Sequence, residues 1–309
     1  MRFVSLLFAT AMTFNPLVAV AQTANQGGPL IDYGTRFIPE IAAKGMVSGP
    51  EKLASEAGLS MLKRGGNAVD AAVATGFALA VTLPRAGNLA GGGFMLVHLA
   101  KTDEQVFIDY REMAPASASR DMFLNEDGTV NKQMAYNSPS AAGIPGTVAG
   151  MIHALENYGT LDLKTVIQPA IELAEQGFRV PAALHLNLRA ATKRLARNEE
   201  ANRIYLAGTG TAPAMGSLFK QPDLAATLKR ISDNGTDGFY KGKTAALIVE
   251  EMQRNGGLIT RSDLANYRAL ERQPVRSMFR GYELVSAPPP SSGGIHVSQI
   301  LTLLEPFPL

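Results

Sequence analysis

The 309-residue sequence contains no cysteine and no tryptophan. Without thiols the protein forms no disulfides, no zinc–thiolate centre and no cysteine nucleophile. Charge of one sign is also lacking, since 29 Lys+Arg against 27 Asp+Glu leave a net charge of +2. No basic run interleaved with aromatics occurs, so neither nucleic acid nor an anionic membrane surface is an expected partner. Histidine is scarce, and His98, His153, His185 and His296 show no pairing at ligand spacing; no metal site is expected. There is no phosphate-binding P-loop and no G-x-S-x-G nucleophile turn. The run Gly91–Gly93 opens a strand-like stretch rather than a helix, which argues against dinucleotide binding.

What is present is ordinary globular material, 46% hydrophobic and 18% charged, enough for a sizeable core. One long apolar stretch stands at the start. Arg2 precedes Phe3 to about Val20, and Ala19-Val20-Ala21 supplies a small-x-small cleavage site. This layout predicts a secretory signal peptide over residues 1–21 and a periplasmic or secreted mature protein. Asn15 and Pro16 interrupt the stretch and weigh against a membrane anchor. No later segment is apolar enough to span a bilayer, so no membrane association is expected once the signal is removed. Residues 22–44 read as a polar, turn-prone lead-in, and residues 45–309 as one domain.

Within that domain, apolar spacing predicts a helix over Pro50–Arg64, stopped by Gly65-Gly66. Asn67, with Asp70 three residues on, predicts the N-cap of the next helix. That helix, Ala68 to about Val81, is apolar or small nearly all round and is expected to lie deep in the protein. Phe94–Ala100 and Gln105–Tyr110 read as strands around a polar turn. Further helices are predicted over 148–157, 163–176, 181–197, 224–232, 243–255 and 261–267. Residues 281–287 read as a strand, Pro288–Gly294 as a loop, and Ile295–Glu305 as a final helix with an apolar stripe. The mixture is α+β without strict alternation.

Two segments invite a functional reading. In Asp109-Tyr110-Arg111-Glu112-Met113-Ala114-Pro115, Arg111 falls at a strand end beside carboxylates. By residue type alone it is more often a salt-bridged surface group than a ligand. A guanidinium fork can also hold a substrate carboxylate bidentately. Pro288–Gly294 contains Ser291 and Ser292 beside paired glycines, but no adjacent base makes either a nucleophile.

Taken in order, several segments resemble the γ-glutamyltranspeptidase (glutathione hydrolase) family. They are Gly45-Met46-Val47, Gly65 to Ala74, Gly87-Asn88-Leu89 through Met95, Asp109 to Pro115, Gly143 to Gly150, Asn255 to Thr260, and Pro288 to His296. Ala90 departs from the glycine that relatives commonly carry there. The resemblance implies an N-terminal-nucleophile hydrolase whose precursor cleaves itself into two subunits forming an αββα sandwich. The new N-terminal threonine attacks the γ-glutamyl amide of glutathione. Its own α-amino group serves as base, and water or an acceptor amine resolves the ester. No metal or organic cofactor is implied. Arg111 matches the arginine that grips the glutamyl α-carboxylate.

The same resemblance implies an incomplete sandwich holding the large-subunit part alone. No catalytic residue is expected here, because the nucleophilic threonine would lie beyond Leu309. The implied partners are glutathione or another γ-glutamyl compound, and the remainder of the large subunit with the small subunit. Without them, the Ala68–Val81 helix and the final helix are expected to expose apolar faces. Two other readings use the same scaffold: a related amide hydrolase (cephalosporin acylase-like or poly-γ-glutamate-processing) and a secreted non-catalytic binding protein.

Overall fold

Capping chemistry sets the first helices of the computed structural model, which describes residues 41–308. Helix α1 (Lys52–Lys63) begins where the Glu51 carboxylate accepts the Ala54 N–H, and it ends at Arg64 before Gly65 at φ +87°. Helix α2 (Ala68–Thr82) carries the expected reciprocal cap between Asn67 and Asp70. Asp70 also reaches across the chain. Besides the Asn67 N–H, it accepts the Thr160 N–H and hydroxyl and the Leu161 N–H, at 2.6–3.0 Å. A fully buried carboxylate with four donors is satisfied, and it ties the start of α2 to the loop before the fifth helix.

Helix α2 packs on α1, on α4 (Thr147–Tyr158) and on α5 (Leu163–Gln176). Small residues permit the close approach: a Cβ on Gly58 of α1 would stand 2.7 Å from the Ala71 carbonyl of α2. Phe77, Val73 and Val81 are fully buried. The helix lies deep, as its residue pattern implies. The expected exposed apolar face is reduced to Ala68 and Ala72, because the chain covers the rest with its own helices.

Strands β1 (Phe94–Leu99) and β2 (Glu104–Asp109) pair antiparallel from Phe94↔Asp109 to Leu99↔Glu104. On its other edge β2 takes β5 (Leu270–Arg272), through Phe107↔Arg272, Ile108↔Glu271 and Asp109↔Leu270. A central strand is covered on both faces, so Val106, Phe107, Ile108 and Asp109 are buried without alternation. The short strands β3 (Phe178–Arg179) and β4 (Leu218–Phe219) pair separately. Helices α6 (Ala182–Leu195), α8 (Pro222–Asn234), α10 (Gly242–Asn255) and α11 (Arg261–Asn266) fall close to their predicted ranges. Three short helices had no sequence prediction: α3 (Lys132–Asn137), α7 (Glu199–Tyr205) and α9 (Asp237–Tyr240).

The C-terminal hairpin also differs from the sequence reading. Gly281 belongs to a two-residue turn with Arg280, both at positive φ, and the strands are β6 (Val275–Phe279) and β7 (Tyr282–Ser286). Such a turn matches the twist of a hairpin. Helix α12 (Gly293–Leu304) packs on both strands. Its apolar residues Ile295, Val297, Ile300 and Leu303 are nevertheless exposed, as expected. The expected signal peptide, residues 1–21, and the expected lead-in up to residue 40 lie outside the described residues. Among the described residues no helix is long and apolar enough to cross a membrane.

Candidate functional site

Arg111 stands two residues beyond the end of β2, and its position follows from how the chain leaves that strand. The β1–β2 ladder is prolonged by one pair, with the Tyr110 N–H donating to the Gly93 carbonyl (3.1 Å) and the Gly93 N–H to the Tyr110 carbonyl (3.3 Å). The Tyr110 ring then lies against Gly150 of α4. Asp109 is buried at the strand end and divides its two oxygens. Oδ1 accepts the Arg111 N–H at 3.0 Å, and Oδ2 accepts Nε of Arg272 at 2.6 Å. The Arg111 carbonyl accepts the Tyr267 hydroxyl at 2.8 Å.

Three segments singled out in the sequence meet around this peptide. Gly92 backs directly onto it: a Cβ there would lie 2.6 Å from the Tyr110 carbonyl oxygen, 2.7 Å from the Glu112 nitrogen and 2.9 Å from the Arg111 Cα. The Gly91 carbonyl accepts the N–H groups of Gly146 and Thr147, which joins the glycine loop to the start of α4. Met113 and Ile144 exchange backbone hydrogen bonds, fixing the far side of the segment. Ala90 is exposed and is not among the residues at positive φ, so alanine is tolerated there without strain.

A fourth segment enters through α11. Thr260 caps that helix reciprocally with Asp263, whose Oδ1 accepts the Ala116 N–H at 3.0 Å. Burial opposes ionisation of Asp263, but the Thr260 hydroxyl and the Ala116 and Thr260 N–H groups outweigh it and hold its carboxyl below the ordinary value. Thr260 is thus a capping residue. The Pro288–Gly294 loop, by contrast, has no hydrogen bond to the Arg111 segment among the described residues; its own bonds stay within it and α12.

The Arg111 side chain is exposed, and its guanidinium makes no hydrogen bond or ion pair among the described residues. The carboxylate of Asp109, two residues away, is engaged by Arg272 instead. An available fork on a braced backbone suits bidentate capture of a carboxylate. Tyr267, which holds the Arg111 carbonyl, stacks on Tyr240, with ring centroids 5.8 Å apart and planes 4° from parallel. The two rings line a cleft of about 290 Å³ that also includes His153, Glu156, Lys241 and Arg268.

The histidines serve locally. His153 meets Glu271 at 2.9 Å, His185 bonds the Pro213 carbonyl, and His98 lies beside Gln105. Among the described residues no three His, Asp or Glu side chains are grouped to hold a metal ion. Sequence reading did not single out Tyr267 or Arg272. Their partners Arg111 and Asp109 lie 156 and 163 residues away, and nothing local marks either pairing.

The γ-glutamyltranspeptidase family model matches residues 54–309. The glutathione hydrolase proenzyme of Escherichia coli is 49% identical over 282 residues, covering 90% of this chain and 48% of that protein. The crystal structure of Helicobacter pylori γ-glutamyltranspeptidase superposes with a TM-score of 0.85 at 44% identity, covering 87% of this chain and 77% of that one. The enzyme from Pseudomonas nitroreducens, in complex with L-DON, gives 0.80 at 42% identity, covering 86% and 77%. The chain belongs to the γ-glutamyltranspeptidase family and has its mixed α and β fold. It spans about half the length of the curated relatives it matches.

Proposed function

We propose that this chain is the glutamyl-recognising part of an exported γ-glutamyltranspeptidase, a glutathione hydrolase, in which Arg111 holds the α-carboxylate of the γ-glutamyl donor. The observation that carries the reading is the free guanidinium of Arg111 on a peptide held at both its N–H and its C=O. A ligand aimed by rigid backbone loses little freedom when it binds, which favours recognition. The attacking threonine hydroxyl comes from sequence outside these residues. It forms an ester with the γ-carbonyl carbon as the amide C–N bond breaks and the amine leaves protonated; water or an acceptor amine then releases glutamate or a new γ-glutamyl amide. Export rests on the charged, apolar and small-residue layout of residues 1–21.

Calorimetric titration of the purified chain with L-glutamate tests the ligand. Affinity on the order of millimolar, abolished in Arg111→Ala, is expected for one bidentate contact. Equal binding by the two proteins overturns the assignment. Turnover of a γ-glutamyl anilide by the chain above an Arg111→Ala control would show that it carries its own nucleophile.

A further inference from the structure

Resting on the reading of Arg111 as the carboxylate ligand, we infer that Tyr267 and Asp109 are positioning residues: the phenol and the carboxylate grip the Arg111 peptide from its two ends and so aim the guanidinium. The geometry is bilateral. Asp109 Oδ1 holds the N–H at 3.0 Å and the Tyr267 hydroxyl holds the carbonyl at 2.8 Å. Neither anchor is itself free to move. Arg272 on β5 fixes the second oxygen of Asp109, while Tyr267 is buried between its stack on Tyr240 and the end of α11.

The peptide has no slack on its third side, because Gly92 backs onto the Arg111 Cα. Arg111 has no neighbouring side-chain partner to orient its fork, so the direction of its Cα–Cβ bond comes from the backbone. That direction is what the two anchors set. Burial, reinforced by the negative groups Asp109 and Glu112 and by Tyr110, raises the Tyr267 phenol above its ordinary value. It therefore stays protonated and keeps donating near neutral pH. The anchor is a permanent donor facing a permanent acceptor.

Tyr267→Phe keeps the stacked ring and removes the donor alone. Tyr240→Phe is the matched control. It deletes a buried hydroxyl that donates to the Pro145 carbonyl at 2.8 Å, accepts the Ala149 N–H at 3.3 Å and makes no hydrogen bond to Arg111. Two readouts are taken on the full chain: amide hydrogen exchange at Arg111 and Glu112, and affinity for L-glutamate. Exchange is expected to rise, and affinity to fall, by roughly fivefold in Tyr267→Phe, as for the loss of one ordinary hydrogen bond. Both should hold in Tyr240→Phe even though its melting temperature also drops.

Equal affinities in the two variants would overturn the positioning role while leaving Arg111 as ligand. If the unmodified chain binds no L-glutamate, the ligand reading fails and the positioning role for substrate fails with it. Unchanged exchange at Arg111 and Glu112 in Tyr267→Phe overturns the mechanical claim whatever the ligand does. Should Tyr267→Phe fail to fold, Asp109→Asn, which keeps an acceptor for the Arg111 N–H but weakens the hold of Arg272, is read in the same two ways. An effect on affinity there supports the role, and none overturns it.

Discussion

Helices α2 and α12 are both rich in apolar and small residues, yet they have opposite fates. In α2 the residues at Val73, Ala74, Phe77, Ala78 and Val81 are all buried. In α12 Gly294 alone is buried, and Ile300 and Leu303 are 54% and 72% exposed. The difference lies in the neighbours. Helix α2 packs against α1, α4 and α5; its backbone at Ala71 meets Gly58 of α1, and its Gly76 makes room for the Met151 side chain of α4. Among the described residues helix α12 packs chiefly on the narrow β6–β7 hairpin, and two short strands cover one side of a helix at most. Apolar character in a helix therefore announces a need for cover but does not say whether the cover is at hand.

Truncation is the strongest way to break this comparison. Phe77→Ala should cost about 3–5 kcal/mol in denaturant unfolding, because the ring is fully buried and its removal leaves a void in the core. A cost near zero would mean that α2 is not the centre of the core.

The next effect belongs to the cap that seats α2. Asp70→Ala strands four donors and should cost about 2–4 kcal/mol. The same residue gives a pH signature. Burial works to raise its carboxyl, but hydrogen bonds from Thr160, Leu161 and Asn67 prevail and hold it below the ordinary value. The folded state therefore binds this proton less readily than the unfolded state. The stabilisation is complete above the ordinary carboxylate value of about 3.9 and is lost as pH falls through the lowered folded value. Unfolding midpoints measured from about pH 7 to about pH 3 should fall less steeply in Asp70→Asn than in the unmodified chain. Parallel curves would remove Asp70 from the acid response.

Leu303→Ala sharpens the contrast from the other side. At an exposed position with little to lose, its cost should stay within about 0.5 kcal/mol. A loss comparable with that of Phe77→Ala would show that α12 is covered in solution.

Much of this was legible in local sequence. The Asn67–Asp70 cap, the glycine stop at Gly65, the strands on either side of residues 101–104 and helices α4, α5, α6, α8, α10 and α11 follow from patterns spanning a few residues. The hairpin was half legible. Gly281 was read as a strand start because the partner strand Val275–Phe279 shows no marked alternation of its own; the turn becomes evident only when Arg280 and Gly281 are seen sharing positive φ. The place of Arg111 at a strand end was legible from its segment, whereas its contacts with Tyr267 and Asp109, and those of Asp263 and Arg272, were not.

The sequence by itself determined where the longer helices start and stop and which arginine stands at a strand end. These depend on capping, periodicity and residue type within one or two turns of chain. Tertiary structure alone decided that α2 would be enclosed and α12 left bare, that Asp109 would pair with Arg272 and leave Arg111 free, and that a phenol from α11 would hold the Arg111 carbonyl. Each of those outcomes joins residues more than a hundred positions apart or depends on how many elements surround a helix. A local pattern carries no term for either.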